Sequence, residues 1–150
     1  MPQSLSQVIL HIVFSTKNRV PVILPEIEME LFPYLGQICN NQKCPVILIN
    51  GTSNHVHILC AMSRTVAIAD LVEELKTGSS KWIKTKSKDL LRFSWQNGYG
   101  VFSVDWRNTN EIKAYIAGQK EHHARVTFED EYRVFLRDYR IPFDERYVWD

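Results

Sequence analysis

Apolar positions along this chain change period several times, and each change divides one element from the next. Between Leu5 and Thr16 the residues Val8, Ile9, Leu10, Ile12, Val13 and Phe14 form a nearly continuous run, which predicts an interior strand covered on at least one face. Pro25 then opens a helical stripe of Ile27, Leu31, Tyr34, Leu35 and Ile38. Proline suits a first helical position, and Glu26, Glu28 and Glu30 favour the positive N-terminal end, so a helix is predicted to about Asn40-Asn41. Two short apolar runs, Pro45 to Ile49 and His55 to Met62, flank Asn50-Gly51-Thr52-Ser53 and predict a hairpin with its turn at those four residues. Ile68, Leu71, Val72, Leu75, Trp82 and Ile83 set a second helix from Val66 to about Lys86, weakened in its middle by Gly78-Ser79-Ser80. After the glycine-punctuated segment Trp95 to Gly100, Val101 to Asp105 alternates as a fourth strand.

Strand, helix, strand, strand, helix, strand is a split β-α-β order. It predicts an α+β fold with a ferredoxin-like core: an antiparallel sheet with these helices on one face and the other face available for ligands. Beyond the core, Asn110 reads as the N-cap of a third helix that carries Ile112, Tyr115, Ile116 and Gln119 to about His123. A fourth helix starts near Thr127, which with Asp130 resembles a capping box, and stops at Ile141-Pro142.

Composition adds bounds. A chain of 150 residues, 45% hydrophobic and 23% charged, is expected to form a single globular domain, 1–150. Cys39, Cys44 and Cys60 are odd in number and form no C-x-x-C, and no charged leader precedes a long apolar run. A reduced, cytoplasmic protein is the expectation, with no segment near the roughly 20 apolar residues that cross a bilayer. The net charge of +1 hides an uneven distribution. Lys76, Lys81, Lys84, Lys86, Lys88 and Arg92 face Asp89 alone along the second helix and its exit, and Lys17 and Arg19 leave the first strand. These are candidate phosphate contacts, Lys17, Arg19, Lys76, Lys81, Lys84 and Lys88 foremost; a solvated helix face and an exposed turn would explain the same residues.

The candidate chemistry sits on the third apolar run. Alternate side chains of a strand leave by one face, so His55 and His57 point together while Val56 and Ile58 enter the opposite layer. Two neutral imidazoles side by side suit a divalent metal. Tyr115 and Gln119, four residues apart, share one face of the third helix and would offer a phenol and a carboxamide oxygen. A histidine-triad hydrolase would need a third histidine where Leu59 stands, and a zinc site from Cys39, Cys44, His55 and His57 lacks the usual three-to-five-residue spacing between histidines.

Four ordered segments, His11-Ile12-Val13-Phe14-Ser15-Thr16-Lys17-Asn18-Arg19, Asn54-His55-Val56-His57-Ile58-Leu59, Trp95 to Val104, and Tyr115-Ile116-Ala117-Gly118-Gln119, together resemble the single-tyrosine HUH transposases of insertion sequences, the TnpA family, REP-associated tyrosine transposases included. The resemblance implies that His55, His57 and Gln119 hold Mg²⁺ or Mn²⁺ and that Tyr115 attacks a phosphodiester of single-stranded DNA, giving a 5′-phosphotyrosine and a free 3′-hydroxyl. It further implies DNA with hairpin ends as substrate and a homodimer, in which the tyrosine helix can serve its own or its partner's site. Because Mg²⁺ prefers oxygen donors, two histidines leave such a site leaning on Gln119, water and the phosphate, with weak affinity expected without DNA. No base for the phenol stands out, and His122 and His123 read as a helix-end pair satisfying carbonyls. The alternative is a domesticated or inactive ferredoxin-like module that binds single strands without cutting.

Overall fold

A computed structural model of the chain describes residues 2–150. The strands are β1 (Ile9–Ser15), β2 (Val46–Thr52), β3 (His55–Ala61) and β4 (Gly100–Val104); α1 (Pro25–Asn41) follows β1 and α2 (Ile68–Ile83) follows β3. The sheet order is β2-β3-β1-β4, and every neighbouring pair is antiparallel. β3 thus inserts between β1 and β2, which is the split β-α-β arrangement expected from the apolar pattern. Past β4 come α3 (Thr109–Ala117), α4 (Gln119–His123) and α5 (Phe128–Asp138).

Alternation sorts the strand residues into two layers. Leu10, Ile12 and Phe14 of β1 and Val56, Ile58 and Cys60 of β3 join Leu31, Leu35, Leu71 and Leu75 in the main core under α1 and α2. Each fully buried side chain of this kind contributes roughly 1.5–3 kcal/mol of transfer free energy. The opposite face carries Ile9, Val13, Leu59 and Phe102, and it is not left open for ligands: Ile116, Phe128, Tyr132 and Leu136 of the C-terminal helices cover it. The apolar faces of α3 and α5 need a partner layer, and this half of the sheet provides one. Any site on this face is therefore enclosed between sheet and helices.

Three local expectations are corrected. The hairpin turn is Ser53-Asn54, because Asn50, Gly51 and Thr52 stay in β2 and pair with His57, Val56 and His55. Glycine permits this: a Cβ on Gly51 would lie 2.2 Å from the His55 carbonyl oxygen, so the strands approach closely only without one. Gly78 does not interrupt α2, since its bare Cα faces Ile38 Cδ1, 3.0 Å from where a Cβ would stand, and lets α1 and α2 approach. The third helix is two helices, α3 and α4, divided at Gly118, and Asn110 lies inside α3, whose N-cap is Asn108. Asn50 Nδ2 donates to the carbonyls of Ile116 (2.9 Å) and Ala117 (3.3 Å), which holds the end of α3 against β2. At α5 the Thr127 hydroxyl does accept from the Asp130 amide, at 3.2 Å.

Candidate active site

His55 and His57 lie on the enclosed face of β3 with no exposed surface. Strand order fixes one end of each ring. His55 Nδ1 is 2.8 Å from Asn54 Oδ1, and the Asn54 amide donates to the Arg19 carbonyl at 3.5 Å, so the oxygen is the atom turned to His55. His57 Nδ1 is 2.7 Å from His11 Nε2. His11 pairs with Leu59 across the ladder, and its ring reaches the diagonal neighbour, stacking on His57 at 5.0 Å between centroids. Both free Nε2 atoms then point away from the sheet toward the helices.

The helices answer with Tyr115, Gln119, His123 and Glu131. Although Gly118 separates α3 from α4, Tyr115 and Gln119 both face the histidines: Gln119 Oε1 is 3.1 Å from His55 Nε2, and the Tyr115 ring stands edge-on to His57 at 6.1 Å. All four side chains expected at the site from the sequence are thus brought together within one chain. The centre they surround is Glu131 of α5, 3% exposed. Its Oε1 lies 3.0 Å from His57 Nε2, 3.6 Å from His55 Nε2 and 3.2 Å from His123 Nε2. Its Oε2 accepts from the Tyr115 hydroxyl and from Gln119 Nε2 at 3.2 Å.

Burial governs the electrostatics. It lowers His11 and His55 to about 3, with His57 adding to the effect, so both rings are neutral at ordinary pH. Burial also pushes the Glu131 carboxyl upward, but the imidazoles of His123 and His57 and the Tyr115 phenol outweigh it and hold Glu131 well below the usual carboxylate range. The Tyr115 phenol moves the other way, far above its ordinary value, through burial and then the Glu131 charge. A carboxylate kept charged beside a phenol kept neutral is the resting state. His55, His57, His123 and Glu131 form a four-donor group able to hold a metal, their ligand atoms all within 4.8 Å of one another. The donor set fits a cation, and the His123 Nε2 atom is buried there without a hydrogen-bond partner.

The candidate phosphate contacts divide. Arg19 donates to the Trp149 carbonyl at 2.6 Å and lies beside an open groove that also receives Asn54, Lys120 and His123; Lys17 is exposed in the same turn. Lys81 and Lys84 flank a second groove with Trp95 and Tyr99, and Lys88 is exposed beyond α2. Lys76 has a structural part: its ammonium donates to the carbonyls of Gln96, Asn97 and Gly98 at 2.6–3.1 Å, fastening the segment before β4. Burial lowers it to about 8.

Sequence reading missed Glu131, His11 and the inward nitrogen of His123. Glu131 was concealed in an acidic first turn, Glu129-Asp130-Glu131, where carboxylates are ordinarily explained by the helix dipole. Its signal was position: Phe128, Glu131 and Phe135 share one face of α5. His11 alternates with Ile9 and Val13 on the sheet face that bears His57.

Comparison with known proteins agrees with this architecture. Residues 4–119 match the family described as Transposase IS200 like. The chain is 26% identical over 116 residues to ISDra2 transposase TnpA of Deinococcus radiodurans, covering 74% of this chain and 83% of that protein. A crystal structure of a transposase candidate from Deinococcus radiodurans R1 superposes with a TM-score of 0.62 at 22% identity, over 79% of this chain and 98% of the other. A REP-associated tyrosine transposase bound to a REP hairpin gives a TM-score of 0.62 at 12% identity, over 84% and 74% of the two chains. The chain belongs to the IS200-like transposase family, whose reaction is DNA cleavage and strand transfer.

Proposed function

We propose that this protein cuts and rejoins single-stranded DNA through Tyr115, with Mg²⁺ or Mn²⁺ held by His55, His57 and Gln119. The observation that carries the reading is convergence: a phenol from α3, an amide from α4 and two imidazoles from β3 meet around one buried carboxylate. A bound divalent cation would polarise a phosphoryl oxygen and offset charge that builds up on it during displacement. The chain's own residues do the rest. The Tyr115 oxygen forms a bond to phosphorus as the bond from phosphorus to the 3′-oxygen breaks, leaving a 5′-phosphotyrosine and a free 3′-hydroxyl. Within reach of the phenolic proton are Glu131 Oε2 and, at 3.5 Å, His122 Nε2. Reversal by another 3′-hydroxyl rejoins the strand without an external energy source.

The groove lined by Arg19, Asn54, Lys120 and His123 reaches the edge of the site at His123, with His55 and His57 buried behind it, and Lys17, Arg19, Lys81, Lys84 and Lys88 would meet phosphates. Hairpin-bearing ends are the proposed substrate, consistent with the REP hairpin on the fold relative. The whole chain acts as one unit, because α5 supplies part of the centre. A homodimer, which the family resemblance implies, is not needed to complete this site, since one chain contains every residue named.

The test is covalent capture. Incubated with a hairpin-bearing single-stranded oligonucleotide and Mn²⁺ or Mg²⁺, the protein should form an adduct that survives denaturant. Tyr115→Phe should abolish it, and His57→Ala should abolish cleavage while leaving DNA retention largely intact. An adduct at the wild-type level in Tyr115→Phe would remove the nucleophile assignment. Retention of the oligonucleotide with no adduct from the wild-type chain would favour a binding module instead.

A further inference from the structure

The proposed reaction leaves two atoms of the buried centre unused, His123 Nε2 and Glu131 Oε1, and the contacts of His123 fix which way its ring faces. His123 Nδ1 lies 2.8 Å from the Val126 backbone carbonyl. A carbonyl only accepts, so Nδ1 is the donor there and Nε2 is the ring atom left for the centre. That Nε2 is the single buried side-chain nitrogen or oxygen without a hydrogen-bond partner among the described residues, on a side chain 9% exposed. It faces Glu131 Oε1 at 3.2 Å. His55 is held in a similar way: its Nδ1 lies 2.8 Å from Asn54 Oδ1 and 3.0 Å from Thr52 Oγ1, and its Nε2 faces Gln119 Oε1 at 3.1 Å and Glu131 Oε1 at 3.6 Å. The Gln119 amide is oriented by its own donation to Glu131 Oε2. Ligand atoms within 4.8 Å of one another, with ring orientations fixed from behind by a carbonyl and an amide oxygen, are the arrangement that metal-binding histidines adopt.

We propose that His123 Nε2 and Glu131 Oε1 complete the ligand set with His55 and His57, so that the seat takes Mn²⁺ or a later first-row ion in preference to Mg²⁺ and takes it without DNA. The proposal rests on the reading of His55 and His57 as cation ligands. Three borderline imidazoles with one hard carboxylate suit manganese, cobalt or zinc, whereas Mg²⁺ keeps to oxygen and to its water. The carboxylate supplies the anionic oxygen that the two histidines lacked, so a phosphate is not needed to hold the ion. Glu131 is also divided in its duties: Oε1 turns to the seat while Oε2 holds the Tyr115 hydroxyl, so one side chain sets the distance between cation and nucleophile. Both added ligands lie beyond the family match at residues 4–119. The two added ligands come from the C-terminal helices, His123 from α4 and Glu131 from α5.

The experiment is equilibrium metal binding by the full chain after chelator treatment, in the absence of DNA. Loss of the free Mn²⁺ electron-spin signal should titrate to one ion per chain, and a hundredfold excess of Mg²⁺ should fail to restore it. His123→Gln and Glu131→Gln keep side-chain volume and act independently; each should weaken Mn²⁺ binding about tenfold or more, with the melting temperature in chelator confirming that the variant is folded. If both bind Mn²⁺ as the wild type does while His57→Ala has lost it, the added ligands are refuted and the two-histidine reading stands. Displacement of Mn²⁺ by an equal concentration of Mg²⁺ would likewise refute them. If His57→Ala also binds Mn²⁺ normally, the ion is held elsewhere and the metal reading itself fails.

Discussion

Acid should destabilise the metal-free protein well before its carboxylates are protonated. His11 and His55 are held near 3 in the fold against about 6.5 in an unfolded chain. Their folded values are depressed, so below the unfolded value the unfolded chain takes up protons that the folded chain refuses. Stability is therefore fully present above about pH 6.5 and is lost as pH falls toward 3. Between pH 7 and pH 5 each ring accounts for a loss of about 2 kcal/mol, hence about 4 kcal/mol together, a large share of the 5–15 kcal/mol typical of a domain. Glu131, also depressed, acts in the same direction but only below about pH 4.5, where its unfolded form begins to protonate. The assay is urea denaturation in chelator at half-unit steps from pH 7.5 to 4.5, with unfolding free energy plotted against pH. Near pH 5.5 the slope should approach two protons, about 2.5 kcal/mol per unit. A curve flat to within 1 kcal/mol down to pH 5 would mean that these rings are not buried neutral, and the enclosed site would be wrong.

Other perturbations probe the parts that position the centre. Gly51→Ala sets a Cβ against the His55 carbonyl, backbone against backbone, where no rotamer can relieve the overlap; the variant should lose at least about 2 kcal/mol of stability and bind Mn²⁺ more weakly, by melting and by metal titration. Neutralising Lys81, Lys84 and Lys88 together should weaken single-strand binding and reduce the salt-dependence slope by about 2, with the melting temperature unchanged. Lys76→Met should do the reverse, costing at least about 1.5 kcal/mol of stability through its three carbonyl partners while leaving that slope close to wild type.

What the sequence disclosed depended on whether one period explained a residue completely. The strands and the two sheet-covering helices were legible because their apolar residues keep a single period, and His55 with His57 because alternation is enough to put two side chains on one face. Tyr115 and Gln119 face the histidines together although the continuous helix assumed for them is broken at Gly118; the carbonyls freed there are taken up by Asn50, a residue that the dipeptide Asn50-Gly51 had assigned to a turn. Turn chemistry lost to the tight approach that Gly51 allows between β2 and β3. Glu131 was illegible for a different reason. Its local explanation, an acid in the first turn of a helix, was sufficient, and a sufficient local explanation conceals a distant role.

The burial of Glu131 is itself an argument for function. Enclosing a carboxylate among imidazoles and a phenol forfeits hydration worth several kcal/mol, and well-packed apolar residues in place of a buried charged cluster are often neutral or stabilising. Phe128, Tyr132 and Leu136 already pack α5 on the sheet, so docking of that helix does not depend on the carboxylate between them. The neutral rings of His11 and His55 buried beside it also make the fold acid-labile. Positions where a chain accepts a local conflict of this kind, with a compact alternative at hand, are expected at working sites. Here the conflict is a carboxylate enclosed with His55, His57 and His123, their ligand atoms within 4.8 Å of one another, where a bound cation would draw on all four and offset the penalty that burial imposes.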